Sequence, residues 1–134
     1  MAHIKQSPKK EKIKFFIDSH VTGHSLLNDY CTTDSRIGSI DVEADTLDNI
    51  ARHIGKKINF LKIDVQGAEL SCLEGAEELL NTTEKIVIET HVLKTGSTAP
   101  AVIQFFKDRD FFYKSIRHRY VPDNTYFEII HAWK

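Results

Sequence analysis

Phe60-Leu61-Lys62-Ile63-Asp64-Val65-Gln66-Gly67-Ala68-Glu69 is the stretch on which the reading of this chain turns. Phe60, Leu61, Ile63 and Val65 make a short apolar run, broken only by Lys62 and Asp64. A run of that length between turn signals reads as a buried strand. Gly67 marks a turn, and from Ala68 to Leu80 the apolar residues recur at helical spacing. Asp64 is therefore expected at the carboxyl end of a strand that feeds a helix. In an open α/β sheet that rim is where ligands bind. The same position also suits a carboxylate that accepts backbone N–H groups of the following helix.

Outward from this stretch the pattern extends in both directions. Ile86-Val87-Ile88 is a second β-branched run, so strand, helix and strand form a βαβ unit with parallel strands and a right-handed crossover. Upstream, alternation over Ile13, Phe15 and Ile17 predicts a strand, and Ser39 to Glu43 predicts another that pairs with it as a long-loop hairpin. Thr46 is expected to cap a helix whose apolar stripe is Leu47, Ile50, Ala51 and Ile54, stopped at Gly55. Downstream, Thr98 is expected to cap a helix with Val102, Ile103 and Phe106 inward. Phe111 to Arg119 and Tyr126 to Trp133 read as an antiparallel hairpin around Pro122-Asp123-Asn124. In its second strand Phe127, Ile129 and Ala132 are expected to share one face.

Composition narrows the class. The 134 residues suffice for one domain, and 41% hydrophobic content is ordinary for a globular chain. With 18 basic and 19 acidic residues, the surplus positive charge of a nucleic-acid binder is absent. Cys31 and Cys72 have no metal-type spacing and imply no disulfide framework, which suits a cytoplasmic location. His20 and His24 lie four apart, but Val21, Thr22 and Gly23 argue for a loop, and no third ligand is evident. No metal site is expected. Residues 1–11 are polar and basic and read as a frayed terminus ahead of a single domain over 12–134. No apolar run reaches the roughly 20 residues of a membrane span.

Three ordered motifs carry a family resemblance. Leu61-Lys62-Ile63-Asp64-Val65-Gln66-Gly67-Ala68-Glu69 with Leu73-Glu74-Gly75-Ala76 resembles the signature of FkbM-type methyltransferases. Asp45-Thr46-Leu47-Asp48-Asn49-Ile50 resembles the element before that strand, and Ile86-Val87-Ile88-Glu89-Thr90-His91 the strand after it. Gln66 departs from the pattern, where Glu is more usual. The resemblance implies the C-terminal portion of a class I, Rossmann-like methyltransferase sheet, with the cofactor-binding N-terminal half missing. It implies transfer of a methyl group from S-adenosylmethionine to a hydroxyl oxygen of a small molecule or glycan. Asp64 and Glu69 would then contact the cofactor, and Asp64, Glu89 and His91 would act in catalysis, with His91 the preferred base. Against this, the six glycines from Gly23 to Gly96 form no glycine-rich loop of the kind that cradles such a cofactor. A noncatalytic remnant acting as a protein-interaction module is the alternative expectation. An exposed edge on the Phe60 strand would make a homodimer the expected assembly.

Overall fold

The computed structural model describes residues 11–19, 23–27, 36–120 and 125–134 of the chain. His20, Cys31 and the turn at Pro122-Asp123-Asn124, all singled out from the sequence, lie outside the described residues, as does most of the N-terminal segment. The fold is mixed α/β. A four-stranded sheet has the order Phe60–Ile63, Lys85–Glu89, Thr125–Trp133, Phe112–Tyr120, and Glu11–Asp18 and Arg36–Ala44 make a separate two-stranded ribbon.

Strand β1 (Glu11–Asp18) pairs antiparallel with β2 (Arg36–Ala44), with Phe15 opposite Ile40. The expected hairpin is present, but β2 begins at Arg36, three residues before the expected Ser39. Thr46 caps α1 (Leu47–Ile54), its hydroxyl accepting the Asn49 N–H at 3.2 Å. Gly55 ends that helix in the left-handed region, with φ 64°, where its missing Cβ removes the usual steric cost. Leu47 and Ala51 pack against the core, whereas Ile50 and Ile54 remain exposed, so only half of the expected stripe is covered.

The central βαβ unit is β3 (Phe60–Ile63), α2 (Glu69–Glu74) and β4 (Lys85–Glu89), with β3 and β4 parallel and Ile63 opposite Ile88. The helix is much shorter than its apolar period predicts. It stops at Gly75, and Leu79–Asn81 form a single 3₁₀ turn. The reason is a competing set of hydrogen bonds from α1. The Asp48 N–H donates to the Gly75 carbonyl at 3.0 Å. The Asp48 carboxylate accepts the Glu78 and Leu79 N–H groups at 3.1 and 2.8 Å. Backbone groups satisfied by a neighbouring element no longer favour a continuous helix, and Gly75 has little intrinsic preference for one.

Two residue strands β5 (Val92–Leu93) and β6 (Gly96–Ser97) make a small hairpin ahead of α3 (Ala99–Lys107). Strands β7 (Phe112–Tyr120) and β8 (Thr125–Trp133) form the expected antiparallel pair, and β8 also pairs with β4. The register corrects the face assignment in β8. Ile130 and Ala132 enter the core opposite Ile88 and Ile86, while Phe127 and Ile129 lie on the other face. Matching β8 to the already buried phase of β4 decides this, because a one-residue slip would exchange the faces.

One core holds the assembly together. Ile63, Leu73, Leu80, Ile86, Ile88, Val102, Phe106, Phe111 and Ile130 form a contiguous buried cluster. Phe106 meets Phe111 with ring centroids 5.3 Å apart. The opposite face is open along a row in register, Phe60, Lys85, Trp133 and Phe112, of which Phe60 is 57% exposed. The β3 strand, read from the sequence as buried, is therefore buried on one face only. Among the described residues no helix is long and apolar enough to cross a membrane.

Candidate functional site

Parallel pairing in register fixes the site. Because Ile63 lies opposite Ile88, the residue just after β3, Asp64, and the last on β4, Glu89, come side by side at the carboxyl rim. His91 follows two residues later. Its backbone is pinned from both sides. Its N–H donates to the Thr98 hydroxyl at 3.0 Å and its carbonyl accepts the Thr98 N–H at 2.9 Å. Thr90, just before it, donates through N–H and hydroxyl to the Glu128 carbonyl at 2.8 and 2.9 Å. Thr98 thus serves His91 and not, as its position predicts, the amino end of α3.

The imidazole of His91 is 8% exposed as a residue and sits among three carboxylates. Nδ1 is 2.7 Å from Oε1 of Glu69. Nε2 is 3.6 Å from Oδ1 of Asp64 and 3.9 Å from Oε1 of Glu89. A carboxylate can only accept, so Nδ1 donates to Glu69, and in the neutral form of the ring Nε2 faces the rim as an acceptor. Asp64 and Glu89 keep about a third of their side chains open to solvent, 32% and 31%. Oxygens of both and a ring nitrogen of His91 all lie within 4.8 Å of one another, a donor set that a small divalent cation could also use.

Glu69 belongs to the first turn of α2, but its carboxylate does not serve that turn in solvent. It is fully buried and folds back beneath His91. Its Oε1 also accepts the Gly67 N–H at 2.8 Å. Oε2 has no partner at hydrogen-bond distance among the described residues. Burial pushes this carboxyl up, but the His91 hydrogen bond, the Gly67 N–H, the His91 charge and the nearby Thr98 hydroxyl outweigh it, so its pKa lies below the ordinary carboxylate value.

The four residues singled out from the sequence, Asp64, Glu69, Glu89 and His91, meet in one cluster. His24 stays apart from it, in a loop where its Nδ1 accepts the Asp18 N–H at 3.0 Å. Two contributors escaped sequence reasoning. Gln66 donates from Nε2 to Asp64 Oδ1 at 2.8 Å, and Ser25 donates its hydroxyl to the Gln66 carbonyl at 2.7 Å. Gln66 stands out in sequence only as a departure from the usual Glu. Ser25 carries no signal, since its contact spans 41 residues. At Gly67, φ is 103° and an added Cβ would come within 2.8 Å of Leu93 and 2.9 Å of Leu27, so this glycine closes packing behind the rim.

The family model described as the methyltransferase FkbM domain matches residues 2–113, which takes in the whole cluster. Comparison with curated proteins and with solved structures finds no match.

Proposed function

The chain belongs to the methyltransferase FkbM domain family, and on that premise we propose that it takes part in S-adenosylmethionine-dependent methyl transfer to a hydroxyl oxygen of a small molecule or glycan. The observation that carries this reading is the convergence of Asp64, Glu89 and His91 Nε2 at the carboxyl rim of two parallel strands. The fit to the methyl donor is at its charged end. Two partly exposed carboxylates beside a buried imidazole make an electronegative rim that suits a sulfonium cation. Asp64 and Glu89 would hold that end. S-adenosylmethionine, when bound, supplies an electrophilic methyl carbon, and the carbon–sulfur electron pair leaves with the sulfur.

The residues of this chain handle the proton. An alcohol is a weak nucleophile until its proton departs, so the acceptor needs a base at hydrogen-bond reach. His91 Nε2 takes that proton, and the resulting imidazolium is faced by Glu69, Asp64 and Glu89. Asp64 is held for its task by the Gln66 amide and by Lys62, whose Nζ is 3.6 Å from Oδ2. Calorimetric titration of the 134-residue chain with S-adenosylmethionine tests the reading. Micromolar binding that Asp64→Asn weakens supports it. No binding would leave the family domain here as a noncatalytic interaction module.

A further inference from the structure

Glu69 is the one member of the cluster that solvent cannot reach, and its place is not explained by the helix it opens. The α2 helix has six residues and no side-chain cap bond. Among the described residues, the backbone donor on the Glu69 carboxylate is the Gly67 N–H of the preceding turn. A fully buried carboxylate carries a large desolvation cost unless it is paired. Its pairing partner is His91 Nδ1, at 2.7 Å. A purely structural contact between α2 and the residue after β4 would be served as well by two apolar side chains.

We propose that Glu69 is the positioning residue of this site, its buried carboxylate holding the His91 ring with the proton on Nδ1 and with Nε2 facing Asp64 and Glu89. The assignment of His91 as proton acceptor is the reading above; the orientation of the ring by Glu69 stands on geometry alone. Three features fix the ring. The Gly67 N–H and the His91 ring hold Glu69 Oε1 from two sides. The two Thr98 bonds fix the His91 backbone. Asp64 and Glu89 bound the space that Nε2 faces, and Lys62 lies beyond Asp64. A free imidazole carries its proton on either nitrogen. Here the acceptor behind Nδ1 selects one tautomer, the one able to take a proton at the rim.

Ring-nitrogen NMR of the whole chain, with His91 assigned by its loss in His91→Ala, reads the tautomer directly and needs no turnover. The expected spectrum at neutral to alkaline pH has His91 protonated at Nδ1. Glu69→Gln, whose amide oxygen can still accept from Nδ1 and from Gly67, keeps that tautomer, whereas Glu69→Leu releases it. Where methyl transfer is measurable, Glu69→Leu lowers kcat by up to roughly 100-fold with cofactor affinity changed less than about two-fold, while Glu69→Gln, which keeps the tautomer, retains most of it. A wild-type His91 protonated at Nε2 in its neutral form overturns the proposal, even if Glu69→Leu fails to fold. So does a folded Glu69→Leu variant of unchanged kcat. Failure of the wild type to bind S-adenosylmethionine counts against the functional reading and not against the Glu69 assignment, which the tautomer decides.

Discussion

Gln66 reaches back two residues to hold Asp64, its Nε2 2.8 Å from Oδ1, from a backbone in the left-handed region with φ 51°. For a residue other than glycine that conformation costs about 1–2 kcal/mol. A hydrogen bond to a charged group returns about 1.5–3 kcal/mol, less here because Asp64 is partly solvated. Gln66→Gly should therefore change unfolding free energy by less than about 1 kcal/mol while loosening Asp64. Chemical denaturation measures the first, and S-adenosylmethionine affinity, expected to fall several-fold, the second. A stability loss above about 2 kcal/mol would show that the amide bond governs the fold of the turn.

Asp64 and His91 separate two roles. Asp64→Asn should leave the denaturation midpoint nearly unchanged, since the side chain is partly exposed at the rim, but remove methyl transfer. His91→Ala should lower kcat far more than it weakens cofactor binding, because a base acts on the acceptor. Retained turnover per folded molecule in Asp64→Asn, with a much lower midpoint, would make Asp64 a structural cap. Loss of cofactor affinity at unchanged kcat would take the base role away from His91.

Glu69 also predicts a pH dependence of stability. Its folded pKa is depressed below the ordinary 4.5, so the unfolded chain binds its proton more readily than the folded one. The stabilisation is complete above the ordinary value and is lost as pH falls through the depressed folded value. The stability difference between wild type and Glu69→Gln should thus be constant from neutral pH to about 5 and shift toward Glu69→Gln below about 4.5. Glu128 is depressed with the same sign, its carboxylate held by Ser115 despite some desolvation and by Arg117, but it is common to both proteins and cancels. Denaturant midpoints at several pH values check this; a difference that stays constant down to pH 3 would show that Glu69 does not gain its charge stabilisation in the fold.

The edge of β3 predicts assembly. Among the described residues β3 pairs only with β4, and β1 pairs with β2 and, through Phe16, with Ser25. An unpaired edge beside exposed Phe60 is a template for another strand, guarded here by Lys62. We expect a homodimer across this edge at micromolar concentration. Sedimentation showing a soluble 15.4 kDa species with slow amide exchange along Phe60 to Val65 would refute it. A Phe60→Lys variant should shift a dimer toward monomer.

The sequence by itself determined the order of the main elements, though not the small β5–β6 hairpin, and the rim position of Asp64 and Glu89. Both follow from local patterns: a β-branched run, a turn glycine, an amphipathic period, and the parallel pairing that a βαβ unit requires. It also placed His91 at that rim, because His91 lies only two residues beyond Glu89. Three matters were decided by tertiary structure. Helix α2 ends at Glu74 because Asp48, far away in sequence, takes the hydrogen-bonding groups of Gly75, Glu78 and Leu79. The buried face of β8 follows its register with β4, which no alternation within β8 specifies. The burial of Glu69 beneath His91 spans 22 residues. In sequence that glutamate is one acidic residue at a helix start, where solvent and a favourable dipole would account for it. Only folding removes the solvent, and a carboxylate without solvent must find a partner.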